Sequence, residues 1–212
     1  MKTSFAPVIA VAILSSTALG ACAAARLEPA DPQQKVANKP HAAITELGKG
    51  LSLQVEAGSW MADERVKDHV TAMKVTVINR SAKAVQLSYG AFTLESNDGK
   101  IYRALAPKDV PIRGATRSIG LPADAIVTRS SDSTVNAPDR ELSEKDSIRN
   151  RLEEQAIKSG DIPAGERVVG YVFFERVPAT VTTITFHGTV QDAKTGAKSK
   201  DGVLIFRPRE FR

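Results

Sequence analysis

The chain has 212 residues, 42% of them apolar, which suits one domain with an ordinary core and leaves room for appendages. Its formal charge of +5 comes from 29 basic and 24 acidic residues, a mixed, solvated surface rather than a nucleic-acid signature. Only 5% of residues are aromatic, and no basic cluster is interleaved with them as a base-stacking platform requires.

The first element is an export signal. Lys2 gives a short positive region, Phe5 to Leu14 an apolar segment interrupted by Pro7, and Ser15 to Ala21 a run of mostly small residues. The apolar run is too short to cross a roughly 30 Å hydrocarbon core as a permanent helix, so residues 1–21 read as a removable signal peptide. Leu19-Gly20-Ala21-Cys22 resembles the lipobox of bacterial lipoproteins. That resemblance implies cleavage before Cys22, a diacylglycerol on its thiol and acylation of the new amine. A thioether-linked lipid must sit at the end of the mature chain, and each buried methylene contributes roughly 0.8 kcal/mol, so several acyl chains hold firmly where one does not. The alternative is a plain secretory signal with an incidental cysteine. Cys22 is the only cysteine, so no internal disulfide can form, and lipidation consumes a thiol that is otherwise a liability in an oxidising compartment. Ala23, in place of the aspartate that signals inner-membrane retention in enterobacterial lipoproteins, implies transfer to the outer membrane; a Gram-positive cell surface is the other location this motif allows.

Residues 22–49 are rich in Ala and Pro, carry scattered charge and show no sustained apolar period, which predicts a flexible tether. A coil of that length would hold a domain on the order of 25 to 30 Å from the lipid.

From residue 50 to about 209 the pattern alternates with period two, the mark of half-buried strands. Leu51, Leu53 and Val55 share one face of a strand, and Met73, Val75 and Val77 share a face of the next, which turns at Asn79-Arg80-Ser81. Val85, Leu87 and Tyr89 hold one parity and Phe92 and Leu94 the other, so the phase slips at Gly90-Ala91, predicting a bulge or strand break. Ser96 to Lys100 is a turn with Gly99 free to take positive φ, and Ile101-Tyr102 begins the return strand. Residues 106–160 form an insertion that becomes helical after about Asp139. There Ile148, Leu152 and Ala156 recur every four residues, Ser143 with Asp146 offers a capping box, and Gly160 offers a stop. The apolar face of this helix either covers the sandwich or, as a candidate interaction helix displaying Ile148 and Leu152, awaits a partner. Three further strands follow, in "RVVGYVFFERV", "TVTTITFHGTV" and "DGVLIFRPR", the first apolar on both faces and so central. Roughly seven strands with turns between them predict an all-β, antiparallel two-sheet sandwich with one inserted α-helix.

In this order the strands resemble the immunoglobulin-like domains of many uncharacterised bacterial lipoproteins and secreted antigens. The likeness rests on "KVTVINRSAKAVQLSYGAFTLESNDGKIY" and "IPAGERVVGYVFFERV" and covers about Leu51 to Pro208. It implies a fold and a surface location and transfers no catalytic residue.

No chemistry-bearing motif stands out. His41 falls in the predicted tether, and His69 and His187 on predicted strands, without metal-ligand spacing; the parity of His187, opposite Ile184 and Phe186, predicts a solvated side chain. No Gly-x-Ser-x-Gly or Ser-x-x-Lys signature is present, Asn97-Asp98-Gly99 lacks the spaced carboxylates of a calcium loop, and "GERVVG" has the wrong spacing for a phosphate cradle. Asn79-Arg80-Ser81 matches a glycosylation acceptor at a hairpin, which means little in a bacterial envelope. These readings predict a lipid-anchored envelope protein that is not an enzyme, carries no catalytic, cofactor or metal site, and binds the membrane through its lipid and an envelope protein through its loops or sheet edges. The other readings are a binder of a small molecule, glycan or cation in a pocket between the insertion and the sandwich, and an enzyme, which needs two polar groups converging in a cleft.

Overall fold

A computed structural model describes residues 27–58, 60, 63–113 and 137–208. Its strands are, in chain order, β1 (Leu27–Pro29), β2 (Lys35–Val36), β3 (Lys39–Gly48), β4 (Leu51–Ala57), β5 (Val70–Asn79), β6 (Val85–Leu87), β7 (Phe92–Ser96) and β8 (Ile101–Leu105). After the insertion come β9 (Gly160–Ile162), β10 (Arg167–Glu175), β11 (Ile184–Gly188), β12 (Gln191–Asp192) and β13 (Gly202–Pro208). A one-turn helix, α1 (Glu64–Lys67), precedes β5, and the long helix α2 (Ala137–Gln155) lies in the insertion.

Ladders run in the order β1-β13-β11-β7-β8-β10-β5-β4-β3-β2, and every pair is antiparallel. The sheet becomes two layers because β8 changes partners. Ile101 to Arg103 pair with β7, whereas Ala104 and Leu105 pair with β10. A small sheet, β12-β6-β9, closes one end. This is the expected all-β, immunoglobulin-like sandwich with one inserted α-helix.

Period-two alternation explains the layers. Leu53 and Val55 of β4, Met73, Val75 and Val77 of β5, Phe92 and Leu94 of β7, Phe186 of β11 and Leu204 and Phe206 of β13 are fully buried between the sheets. β10 is apolar on both faces, as its sequence predicts. Val172 and Phe174 face the inter-sheet core, and Phe173 faces a second core on the outer side of the same sheet, made with Val66, Val70, Val110, Ile148, Leu152 and Ala156. The break at Gly90 is real: a 3-10 turn over Tyr89–Ala91 separates β6, in the small sheet, from β7, in the large one. The Ser96–Lys100 turn closes the β7–β8 hairpin with Gly99 at φ 80°.

Asn79, at the end of β5, fastens the turn that follows. Its side-chain amide donates to the carbonyls of Lys83 (2.8 Å), Ile162 (2.9 Å) and Pro163 (3.0 Å), while its Oδ1 accepts from the amide and hydroxyl of Ser81. The residue is fully buried, so the nitrogen a glycan would need is already consumed. Asn79→Ala leaves several buried groups unpaired at about 1–3 kcal/mol each, of which relaxation recovers part. We expect a loss of about 3 kcal/mol in a denaturant titration; a change below about 0.5 kcal/mol would show that the network contributes nothing.

The structure corrects several expectations. Residues 27–48, assigned to a tether, are part of the sandwich: β1 pairs with β13, β2 with β3 and β3 with β4 along its length. Ala42, Ala43 and Leu47 are buried there, and residues 22–26 lie outside the described residues. His41 therefore belongs to a strand, where Nδ1 lies 3.0 Å from the carbonyl of Leu27 and ties the first strand to the third. His69 lies in the turn before β5 rather than on a strand. Ser143 is inside α2, six residues past its start, so no capping box forms with Asp146. Gly160 does not stop the helix, which ends at Gln155; at φ 144° it opens β9 instead.

Candidate functional site

The register places the chain's start. Pro29 pairs with Phe206, Phe206 with Ile184, and Ile184 with Ser96. Leu27 thus lies at the end of the sandwich that carries the Ser96–Lys100 turn, and Gly188 and Gly202 mark the opposite end. Cys22 lies outside the described residues, but only four residues separate it from Leu27. At 3.3–3.6 Å per residue the intervening chain reaches no more than about 18 Å. Whatever holds Cys22 therefore holds this end of the fold close.

Ile148 and Leu152 are each 3% exposed and pack against Val66, Val70, Val110 and Phe173. The apolar face of α2 is occupied by the chain's own second core, the covering arrangement of the two considered. Ionic contacts fix the helix from outside: Arg65 reaches Glu144 (2.9 Å) and Arg151 reaches Asp63 (3.2 Å), both partly exposed and each contributing at most about 1 kcal/mol. Trp60 lies over Phe173 with ring centroids 5.2 Å apart, and its indole N–H donates to Gln155 Oε1 at 3.0 Å.

A cleft opens where the insertion meets the sheet, lined by Trp60, Asp63, Val66, Ile148, Arg151, Leu152 and Gln155. Its volume is about 40 Å³, room for one or two waters, against roughly 300 Å³ and upward for small-molecule sites. Beside this core, Tyr89 accepts a hydrogen bond from the backbone amide of Phe173 at 2.9 Å, and burial pushes its phenol up to about 12.

His187 departs from the solvated reading. Its Nδ1 lies 3.0 Å from Asp201 Oδ2 and its Nε2 3.5 Å from Glu95 Oε2, with the ring about one quarter exposed. The two carboxylates come from a different strand and a following loop, and only the β7-β11-β13 register brings them together. The trio sits on the outer face of the sheet beside Thr93 and Val203, the cross-strand neighbours of His187, so it orders that surface without forming a cavity around a substrate. Among the described residues no three His, Cys, Asp or Glu side chains converge in metal-binding geometry. No helix among the described residues is long and apolar enough to cross a membrane.

No family model matches the chain, and no curated protein matches it. Similar solved structures include the lipoprotein candidate YcdA of Bacillus subtilis, at 14% identity and a TM-score of 0.39 over 74% of this chain. The chain spans 37% of that protein's length. The secreted protein MPT63 of Mycobacterium tuberculosis is similar at 13% identity and a TM-score of 0.33, over 72% of this chain and 82% of its own. A functionally unknown protein of Listeria monocytogenes gives 11% identity and a TM-score of 0.35, over 86% and 85%. At these TM-scores the three assign no family and no role.

Proposed function

We propose that the protein is a lipid-anchored module of the bacterial cell envelope, held by acyl chains on Cys22 and acting through interaction or structure rather than catalysis. One observation carries this reading beyond the motif. The first described strand already starts at Leu27, so the lipobox cysteine, this end of the fold and the membrane surface are joined by a stretch of chain that reaches no more than about 18 Å. The domain stands on the bilayer, with the Ser96–Lys100 turn toward it and the opposite end projecting away. Ala23 directs it to the outer membrane, and an envelope protein is the macromolecular partner for its exposed edges and loops. The cleft that the described residues form beside α2 is, by itself, too small for a small-molecule site.

Cys22→Ser in the full-length chain tests the anchor. We expect complete loss of palmitate labelling and release of the protein from the membrane fraction of intact cells. A variant that stays with membranes after a high-salt wash would place the anchor elsewhere and overturn the reading.

A further inference from the structure

The chain's formal charge is +5, and three loops at one end of the fold carry an equal net charge between them. Three loops meet there: residues 48–50 between β3 and β4, residues 80–84 between β5 and β6, and residues 192–200 from the end of β12 toward β13. Backbone hydrogen bonds join them, from Arg80 N–H to Gly50 (2.8 Å), from Ala193 N–H to Ala84 (3.2 Å) and from Lys200 N–H to Leu47 (3.3 Å). They carry six cations, Lys49, Arg80, Lys83, Lys194, Lys198 and Lys200, and a single carboxylate, Asp192.

All six cations are exposed, and none has an ion-pair partner among the described residues. Asp192 is engaged first with its own turn. Its Oδ1 accepts from the amides of Thr195 (2.9 Å) and Lys194 (3.0 Å), which hold its carboxyl below the usual range, with a smaller contribution from the charge of Lys83. Glu46, Glu166 and Asp201 border the patch, Asp201 being engaged with His187.

We infer that these loops form a docking surface for a phosphate-bearing polymer. Five of the six cations are lysines, compact point charges on flexible stems that can follow a run of phosphates without the fixed geometry an arginine fork imposes. The three loops contain no aromatic or large apolar side chain to centre a protein interface. They lie at the Gly188–Gly202 end, opposite Leu27, so in the anchored protein they face away from the bilayer that holds it. That last step, which selects a polymer over lipid headgroups, rests on the anchoring proposed above.

The test uses the full-length chain in non-ionic detergent with immobilised long-chain inorganic polyphosphate as the probe. Contact with about four phosphates predicts a log–log salt slope near −3, a loss of roughly fiftyfold between about 50 and 200 mM salt. Lys194→Glu with Lys198→Glu and Lys200→Glu should weaken binding on the order of tenfold or more. A charge-matched variant away from the patch, Arg103→Glu with Lys108→Glu and Arg113→Glu, should change it less than about twofold. Equal losses in the two variants, affinity indifferent to salt, equal affinity for polyglutamate, or competition by free glycerophosphoglycerol, the water-soluble lipid headgroup, as strong as that by soluble polyphosphate would each overturn the inference. Because binding is read in solution, its failure is distinct from failure of the Cys22 anchor.

Discussion

Replacing Ile148 and Leu152 together by aspartate should detach α2 from the sheet. Each side chain is 3% exposed, and each substitution removes a buried aliphatic group, at about 2–5 kcal/mol. Each also places a carboxylate against Val66, Val70 and Phe173, with several kcal/mol of desolvation behind it. A domain of ordinary stability, roughly 5–15 kcal/mol, cannot absorb both in place. The second core is separate from the inter-sheet core, so the helix can leave while the ladders hold, and the damage is read locally. Trp60, the chain's only tryptophan, reports on it, because its ring packs at a tilt against Phe173 and its indole N–H donates to the last residue of the helix. We expect red-shifted tryptophan emission, protease cleavage within residues 143–156, and a loss of about 4 kcal/mol or more in denaturant. Unchanged emission with stability within about 0.5 kcal/mol of wild type would show that this face carries no packing energy and is free for a partner.

The sequence displays the strands whose core faces are built from large residues. Met73, Val75 and Val77 read as a face because each contributes enough apolar surface to stand out from Lys74 and Thr76 between them. β3 escapes the same reading for a physical reason. Its buried residues are Ala42, Ala43 and Leu47, two of them adjacent and small, and its register slips between Glu46 and Gly48, so no alternation survives. What makes it a strand lies outside its own sequence: β4 supplies the ladder and Leu27 a carbonyl for His41. The functional consequence is large, because a tether of about 25 residues becomes a link of four. The surroundings of His187 were hidden similarly, since Glu95 and Asp201 reach it only through strand order, which local pattern does not encode. The cationic end is the same lesson in charge. Lys49 and Lys200 are remote in sequence, and evenly mixed signs along the chain become a predominantly positive patch only when three loops are tied together.

Gly170→Ala should be the most destabilising single-methyl addition in the sandwich. β8 pairs with β10 only at Phe173 and Phe174, which leaves the edge of β10 before them open. The chain leaving α2 fills that gap: the amide of Ile157 donates to the carbonyl of Tyr171 at 2.9 Å, and the Ile157 side chain, 2% exposed, enters the inter-sheet core. This close approach requires a residue without a side chain at 170. A Cβ there would stand 2.8 Å from the carbonyl carbon of Ala156 and closer still to the backbone of Ile157, inside the 3.0 Å that real contacts do not cross. The obstruction is backbone, so no rotamer change relieves it. Either β10 shifts against β5 or the segment after α2 withdraws, giving up its hydrogen bond and the burial of Ile157. Overpacking costs about 1–3 kcal/mol and exposing an isoleucine about 1.5–3 kcal/mol more, so a loss of about 3 kcal/mol or beyond is expected in denaturant. Gly90→Ala is the control: nothing lies nearer than the Ser88 hydroxyl at 4.0 Å and its φ is negative-side, so it should stay within about 0.5 kcal/mol of wild type. If Gly170→Ala is as mild as Gly90→Ala, the chain after α2 does not lie against β10, and the route by which the insertion rejoins the sandwich is different.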